Sequence, residues 1–234
     1  MSQKQKNLLP LQIVNSKIMR TRIKICCISS LVEAQIATAA GADALGLVGK
    51  MPSGPGPIPD NLIASIAAKI PPPIASFLLT SEQTAEGIID HVLRAGTNTV
   101  QIVDELTNRQ YDEIRKRLPN VKLVQVIHVI DNDSVTEALE ISNHVDALLL
   151  DSGSPKAEIK LLGGTGKVHN WEISRAIVDQ VTIPVFLAGG LNAENVSKAI
   201  EIVKPYAVDV CSGVRTNGNL DPEKLEAFVI AVGK

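Results

Sequence analysis

Two adjacent cysteines, one aspartate, a Gly-Gly pair and a Ser-Gly pair carry most of the chemistry open to this chain. Cys26 and Cys27 close the run RIKICC, Asp151 closes ALLLD, and the segments FLAGGL and VDVCSGV place Gly189, Gly190, Ser212 and Gly213 behind further apolar runs. A thiol set near a cation such as Lys24 loses its proton more readily and can act as a base, whereas a cysteine in apolar surroundings is an inert small hydrophobe. Both readings are open for Cys26. An aspartate at the end of a buried strand is costly unless paired or functional. Asp151 therefore either caps the loop that follows or, with its proton retained by burial, serves as a general acid. Glycines directly after strands let backbone N–H groups approach a phosphate near a helix N-terminus. Either pair alone reads equally well as a plain turn.

Positioning such groups requires strands that end together, and the chain supplies them. Short β-branched runs alternate with longer stretches of helical periodicity along almost its whole length, giving eight strand and helix units. The runs at Arg22 to Ile28, Ala44 to Val48, Ile74 to Leu79, Thr99 to Val103, Lys122 to Val129, Ala147 to Asp151, Pro184 to Ala188 and Ala207 to Cys211 read as strands. Between them, Val196, Ala199, Ile200 and Val203 recur at helical spacing. Ser134 and Glu137 have the spacing of a capping box, and Asp221 with Pro222 opens the last helix. The turn after the first strand reads CCISS instead of a glycine-rich dinucleotide loop, so an open doubly wound sheet is disfavoured. The expected architecture is α/β, a single (β/α)8 TIM barrel over residues 22–234 behind an N-terminal extension, residues 1–21. In that fold the site lies at the carboxyl ends of the strands, where strands one, six, seven and eight present Cys26, Asp151, the Gly189 pair and the Ser212 pair. Met19 just ahead of the first strand offers a second start, so residues 1–18 are expected to be dispensable.

Composition narrows the partners. Hydrophobic residues make up 45% of the 234 and aromatics only 3%, which suits an aliphatic core of buried parallel strands. A formal net charge of −2 with mixed signs offers no footprint for nucleic acid or an anionic membrane. A small molecule is the expected partner, bound by a monomer or homodimer. Cys26, Cys27 and the distant Cys211 form neither a disulfide framework nor a zinc pattern, which fits a reducing, cytoplasmic setting. His91, His128, His144 and His169 lack paired ligand spacing, so no metal is expected. Trp171 reads as a core residue at a helix start.

Taken together and in order, RIKICCIS, LLLDS, GGTGKVHNW, FLAGGLNAENV and AVDVCSGVRTNG resemble the phosphoribosylanthranilate isomerase family of tryptophan biosynthesis over residues 22–230. The resemblance implies a cofactor-free Amadori rearrangement of a phosphoribosyl amine, with Cys26 as general base and Asp151 as general acid. It implies phosphate binding at Gly189, Gly190, Ser212 and Gly213, and it matches Gly164 and Asp209 to family motif positions.

Three positions depart from the family pattern. The loop after strand two reads KMPSGPGPIP where the family carries a Ser-Pro-Arg-Tyr-like segment whose arginine pairs with the anthranilate carboxylate; Lys50 is the nearest cation in sequence. Strand four ends VQIVDE where the family has Val-Gln-Leu-His-Gly, so Val103 and Asp104 replace histidine and glycine, and Asp104 would repel a carboxylate. Cys27 stands where the family has glycine, a small change if its side chain points toward the helices. Besides the isomerase itself, two functions stay open: a paralogous isomerase for another phosphorylated sugar ligand, and a non-catalytic binding protein for one.

Overall fold

The structure is a computed structural model that describes residues 20–107, 110–152 and 169–233. Eight parallel strands, β1 (Arg22–Ile25), β2 (Ala44–Val48), β3 (Ala75–Thr80), β4 (Thr99–Ile102), β5 (Lys122–His128), β6 (Ala147–Asp151), β7 (Val185–Leu187) and β8 (Ala207–Val210), pair in sequence order. The barrel closes where β1 meets β8, with Lys24 level with Asp209 and Ile25 level with Val210. Among the described residues eight helices pack outside: α1 (Leu31–Ala39), α2 (Asp60–Ala67), α3 (Ala85–Ala95), α4 (Tyr111–Arg117), α5 (Asp133–Ile141), α6 (Trp171–Gln180), α7 (Val196–Val203) and α8 (Pro222–Val232). This is the (β/α)8 barrel read from the sequence. Residues 1–19 of the extension lie outside the described residues.

Strand alternation sorts the aliphatic residues into two cores. Leu148 and Leu150 of β6 face the helices within one large cluster, while Ala147 and Leu149 face the barrel axis within a smaller one. The axis cluster holds two of the three phenylalanines, Phe77 and Phe186, edge to face at 5.6 Å between centroids. Each fully buried Leu or Ile stabilises the fold by roughly 1.5–3 kcal/mol, enough in sum to hold the barrel without aromatic mass. Trp171 packs against the outer core from the first position of α6, as its place in the sequence suggests.

Two caps bear on the site. The box expected at Ser134 and Glu137 does not form as read: Asn132 is the N-cap of α5 with no side-chain bond. The Ser134 hydroxyl instead takes the N–H of Ile130 at 3.2 Å and donates to the carbonyl of His128 at 3.3 Å, tying the end of β5. At α8 the expected cap holds, with the Asp221 carboxylate accepting from Glu223 N and Lys224 N and Pro222 at the first helical position.

A buried ion pair joins the ends of β1 and β8. Glu33 on α1 accepts from both Arg215 terminal nitrogens, at 3.0 and 3.1 Å, and from the N–H groups of Ser29 and Leu220 at 2.8 and 2.9 Å. Burial works to raise the Glu33 pKa, but Arg215 and these N–H groups overcome it and hold the carboxyl below its ordinary value. The same guanidinium donates to the carbonyls of Cys26 and Cys27. The segment carrying the candidate base is thereby fixed from behind.

Candidate active site

At the carboxyl ends of the strands lies a cleft of about 700 Å³ open to solvent, with Cys26, Asp151, Gln101 and Asp209 among its walls. Cys26 points inward one residue beyond β1. Beneath it Lys24, 0% exposed, places its Nζ 2.9 Å from Asp209 Oδ1. Both side chains fit because β2 has no side chain at Gly46, where a Cβ would lie 2.9 Å from Cys26 Sγ and 3.1 Å from Lys24 Nζ. Burial pushes the Cys26 thiol up to about 11, with Asp209 and Asp151 adding to the rise while Lys24 and the Cys27 N–H oppose it. Loss of solvent likewise raises the pKa of Asp151, against the N–H of Ser152 and the neighbouring His128. The site therefore brings together two weak acids of raised pKa, one sulfur and one oxygen, each able to give or take a proton.

One end of the cleft is built from backbone. Gly189 and Gly190 after β7 have φ values of 83° and 64°, in the left-handed region that favours glycine. Ser212 and Gly213 begin a 3-10 turn after β8. A Cβ on Gly213 would come within 2.0 Å of the Leu191 carbonyl oxygen, so only glycine lets the two loops meet. The N–H groups of Gly190, Ser212 and Gly213 take no partner among the described residues and are available to an anion. Asn195 braces this end by donating to the Gly190 carbonyl at 2.9 Å and accepting from Asn192 N. Gly164 lies outside the described residues.

The other end is apolar. Val48, Met51, Leu79 and Val103 form its wall, and the loop through Ser53, Gly54 and Pro55 borders the mouth. Lys50 is exposed and is not among the lining residues, and the described lining contains no lysine or arginine. Asp104 is buried outside the lining, with its carboxylate accepting the Glu105 N–H at 2.9 Å.

The cysteine reading needs correction. Cys27 and Cys211 form a disulfide, with Cα atoms 5.9 Å apart across 184 positions of sequence, and Cys26 is the free thiol. Spacing gives no hint of this pair, because closure of the barrel makes the first and last strands neighbours. Cys27 also turns toward the cleft and not toward the helices, and its φ of 62° explains why a glycine suits the position. The inference from cysteine usage to a reducing setting loses its basis. No described helix is long and apolar enough to cross a membrane.

Several groups escaped the sequence reading. His128 is level with Asp151 on the adjacent strand and donates from Nε2 to the Val103 carbonyl at 3.1 Å, leaving Nδ1 buried without a partner among the described residues. Its position at a strand end was the available signal. Gln101 lines the cleft with Oε1 unpartnered among the described residues, and Arg215 acts from behind, reachable only once the long-range pairing with Glu33 is known. His169 bonds to Ser174 at 2.7 Å, and burial lowers its pKa to about 4, so it stays neutral behind Gly189.

The family model for N-(5'-phosphoribosyl)anthranilate isomerase matches residues 23–231. N-(5'-phosphoribosyl)anthranilate isomerase 2 of Methanosarcina mazei is 40% identical over 210 residues, covering 89% of this chain and 92% of that protein. Among solved structures, the N-(5'-phosphoribosyl)anthranilate isomerase of Pyrococcus furiosus superposes with a TM-score of 0.76 at 29% identity, over 91% of this chain and 98% of that one. A further phosphoribosyl anthranilate isomerase, in complex with reduced 1-(o-carboxyphenylamino)-1-deoxyribulose 5-phosphate, superposes with a TM-score of 0.72 at 26% identity over the same shares. With the barrel, the thiol and carboxyl in one cleft and a family match spanning nearly all the described residues, the chain belongs to the N-(5'-phosphoribosyl)anthranilate isomerase family.

Proposed function

We propose that this chain catalyses the Amadori rearrangement of N-(5'-phosphoribosyl)anthranilate to 1-(o-carboxyphenylamino)-1-deoxyribulose 5-phosphate in tryptophan biosynthesis, with Cys26 as general base and Asp151 as general acid. The observation that carries this reading is the shared cleft: a buried thiol and a half-buried carboxyl flank it, while N–H groups without a partner among the described residues wait at one end. Gly190, Ser212 and Gly213 hold the phosphate, with Gly189 shaping the turn and Asp209 facing the sugar. Asp151 protonates the furanose ring oxygen, the bond from that oxygen to C1 breaks, and an open-chain Schiff base forms. Cys26, as thiolate, removes the C2 proton, and the enolamine tautomerises to the aminoketose. No cofactor takes part. Turnover is read as consumption of the fluorescent substrate, and Cys26→Ser and Asp151→Asn should each lower kcat by about 10²–10⁴-fold in a folded protein. Undiminished turnover by either variant overturns that residue's role.

A second reading is favoured by the missing cation. An anthranilate carboxylate at the apolar end would meet no arginine or lysine among the described lining residues, and a bidentate contact of that kind contributes roughly 2–5 kcal/mol. A phosphoribosyl amine without the carboxylate fits that wall better, unless Lys50 swings inward. Comparing kcat/KM for anthranilate and aniline adducts separates the two, and Lys50→Met tests the swing. A cytoplasmic location and a monomeric or homodimeric state accompany the first reading, the latter checked by sedimentation.

A further inference from the structure

Cys26 meets charged groups from three strands. Lys24 lies below it on β1, Asp209 approaches from β8, and Asp151 from β6; β2 contributes only the bare backbone of Gly46. Arg215 touches its carbonyl, not its sulfur. Lys24 is the one cation close to the sulfur among these, and it is pinned by Asp209 at 2.9 Å with the Phe77 ring 5.3 Å away. It is sealed from solvent and absent from the cleft lining, so it cannot serve the substrate by contact. A fully buried ammonium is expensive, and a well-packed apolar pair would fill the same volume at no such cost. The cost is borne directly beneath the only free thiol of the chain.

We propose that Lys24 is a positioning residue that stabilises the thiolate of Cys26, with Asp209 setting the strength of that effect by partly neutralising the ammonium. The proposal rests on the reading of Cys26 as base. Burial disfavours the charged ammonium, but Asp209 and Cys26 together outweigh it and raise the Lys24 pKa, so Lys24 stays charged through the working range. Charge at this position favours removal of a proton from the thiol, and the carboxylate of Asp209 works the other way. The two partners of one ion pair should thus move Cys26 in opposite directions.

Because Cys27 and Cys211 are paired, alkylation by neutral iodoacetamide, followed by mass spectrometry on the non-reduced protein, reads Cys26 alone. At pH 8 the expected result is a rate about tenfold lower in Lys24→Met and severalfold higher in Asp209→Asn, since one unit of thiol pKa is a tenfold change in thiolate. Lys24→Met should also lower kcat about tenfold or more with little change in KM. A merely structural role loosens the cleft in both variants and shifts both rates the same way. An unchanged or faster rate in folded Lys24→Met overturns the proposal. If that variant does not fold, a slower or unchanged rate in Asp209→Asn overturns it alone. Full turnover by Cys26→Ser is a different failure, of the base reading, and leaves the alkylation rates to decide whether Lys24 acts on the thiol.

Discussion

At the scale of single residues, the roles proposed for Cys26 and Asp151 imply a particular pH dependence. The Asp151 carboxyl titrates above its ordinary value and the Cys26 thiol at about 11, so between those values the pair holds one proton. Most molecules carry that proton on sulfur, and the form that the proposed mechanism uses, with the proton on Asp151, is a minority of constant size across the interval. Below the Asp151 pKa both groups are protonated and the base is lost; above about pH 11 both are ionised and the acid is lost. The expected kcat/KM profile is a plateau with an acid limb above the usual carboxylate range and an alkaline limb near pH 11. An alkaline limb at the ordinary thiol value of about 8.5 is incompatible with this pairing. That both residues stand in one cleft was legible because each ends a strand at the same face, while the role proposed for Cys26 came from the family resemblance, its spacing alone leaving an inert thiol equally open. His128 and Gln101 were not legible, since a polar residue at a strand end acquires meaning only when its cross-strand neighbour is known.

At the scale of elements, two links tie β1 to β8, and each makes a measurable statement. Glu33 and Arg215 are an almost wholly enclosed ion pair, with side-chain exposures of 10% and 8%. Glu33→Ala leaves a guanidinium buried without its partner, so unfolding free energy should fall by about 3–5 kcal/mol in denaturant titration. A loss under 1 kcal/mol would mean that water replaces the carboxylate. The disulfide adds a second link, and removing it through Cys211→Ser should destabilise by about 2–4 kcal/mol. Cys27→Gly breaks the same bond but also relieves a non-glycine residue held at φ 62°, worth roughly 1 kcal/mol. Cys27→Gly should therefore be the milder of the two, and the reverse order would show that the left-handed conformation costs nothing here. The strands and most helices were readable from periodicity. These links were not, because both join residues more than 180 positions apart that only the closed barrel makes neighbours.

At the scale of the whole molecule, the barrel was legible because its eight-fold alternation is a property of the full chain, insensitive to errors at any one boundary. The fine structure of the cleft is set by side chains converging from separate strands, and that convergence has no local signature. Residues 1–21 are the opposite case, a segment proposed as a dispensable extension from where the described barrel begins. β1 starts at Arg22, its first N–H bonds to the Tyr206 carbonyl at 3.2 Å, the family match starts at residue 23, and the described strands close the barrel among themselves. Arg20, paired with Asp43 at the start of β2, is the earliest residue with a described contact to the barrel. This pair is largely exposed at Arg20 and contributes at most about 1 kcal/mol. A chain beginning at Met19 should then keep its melting temperature within a few degrees and its kcat/KM within about twofold of the full chain. Loss of turnover in a folded product of that truncation would place residues 1–18 in the catalytic machinery, a role that nothing in the described cleft walls requires.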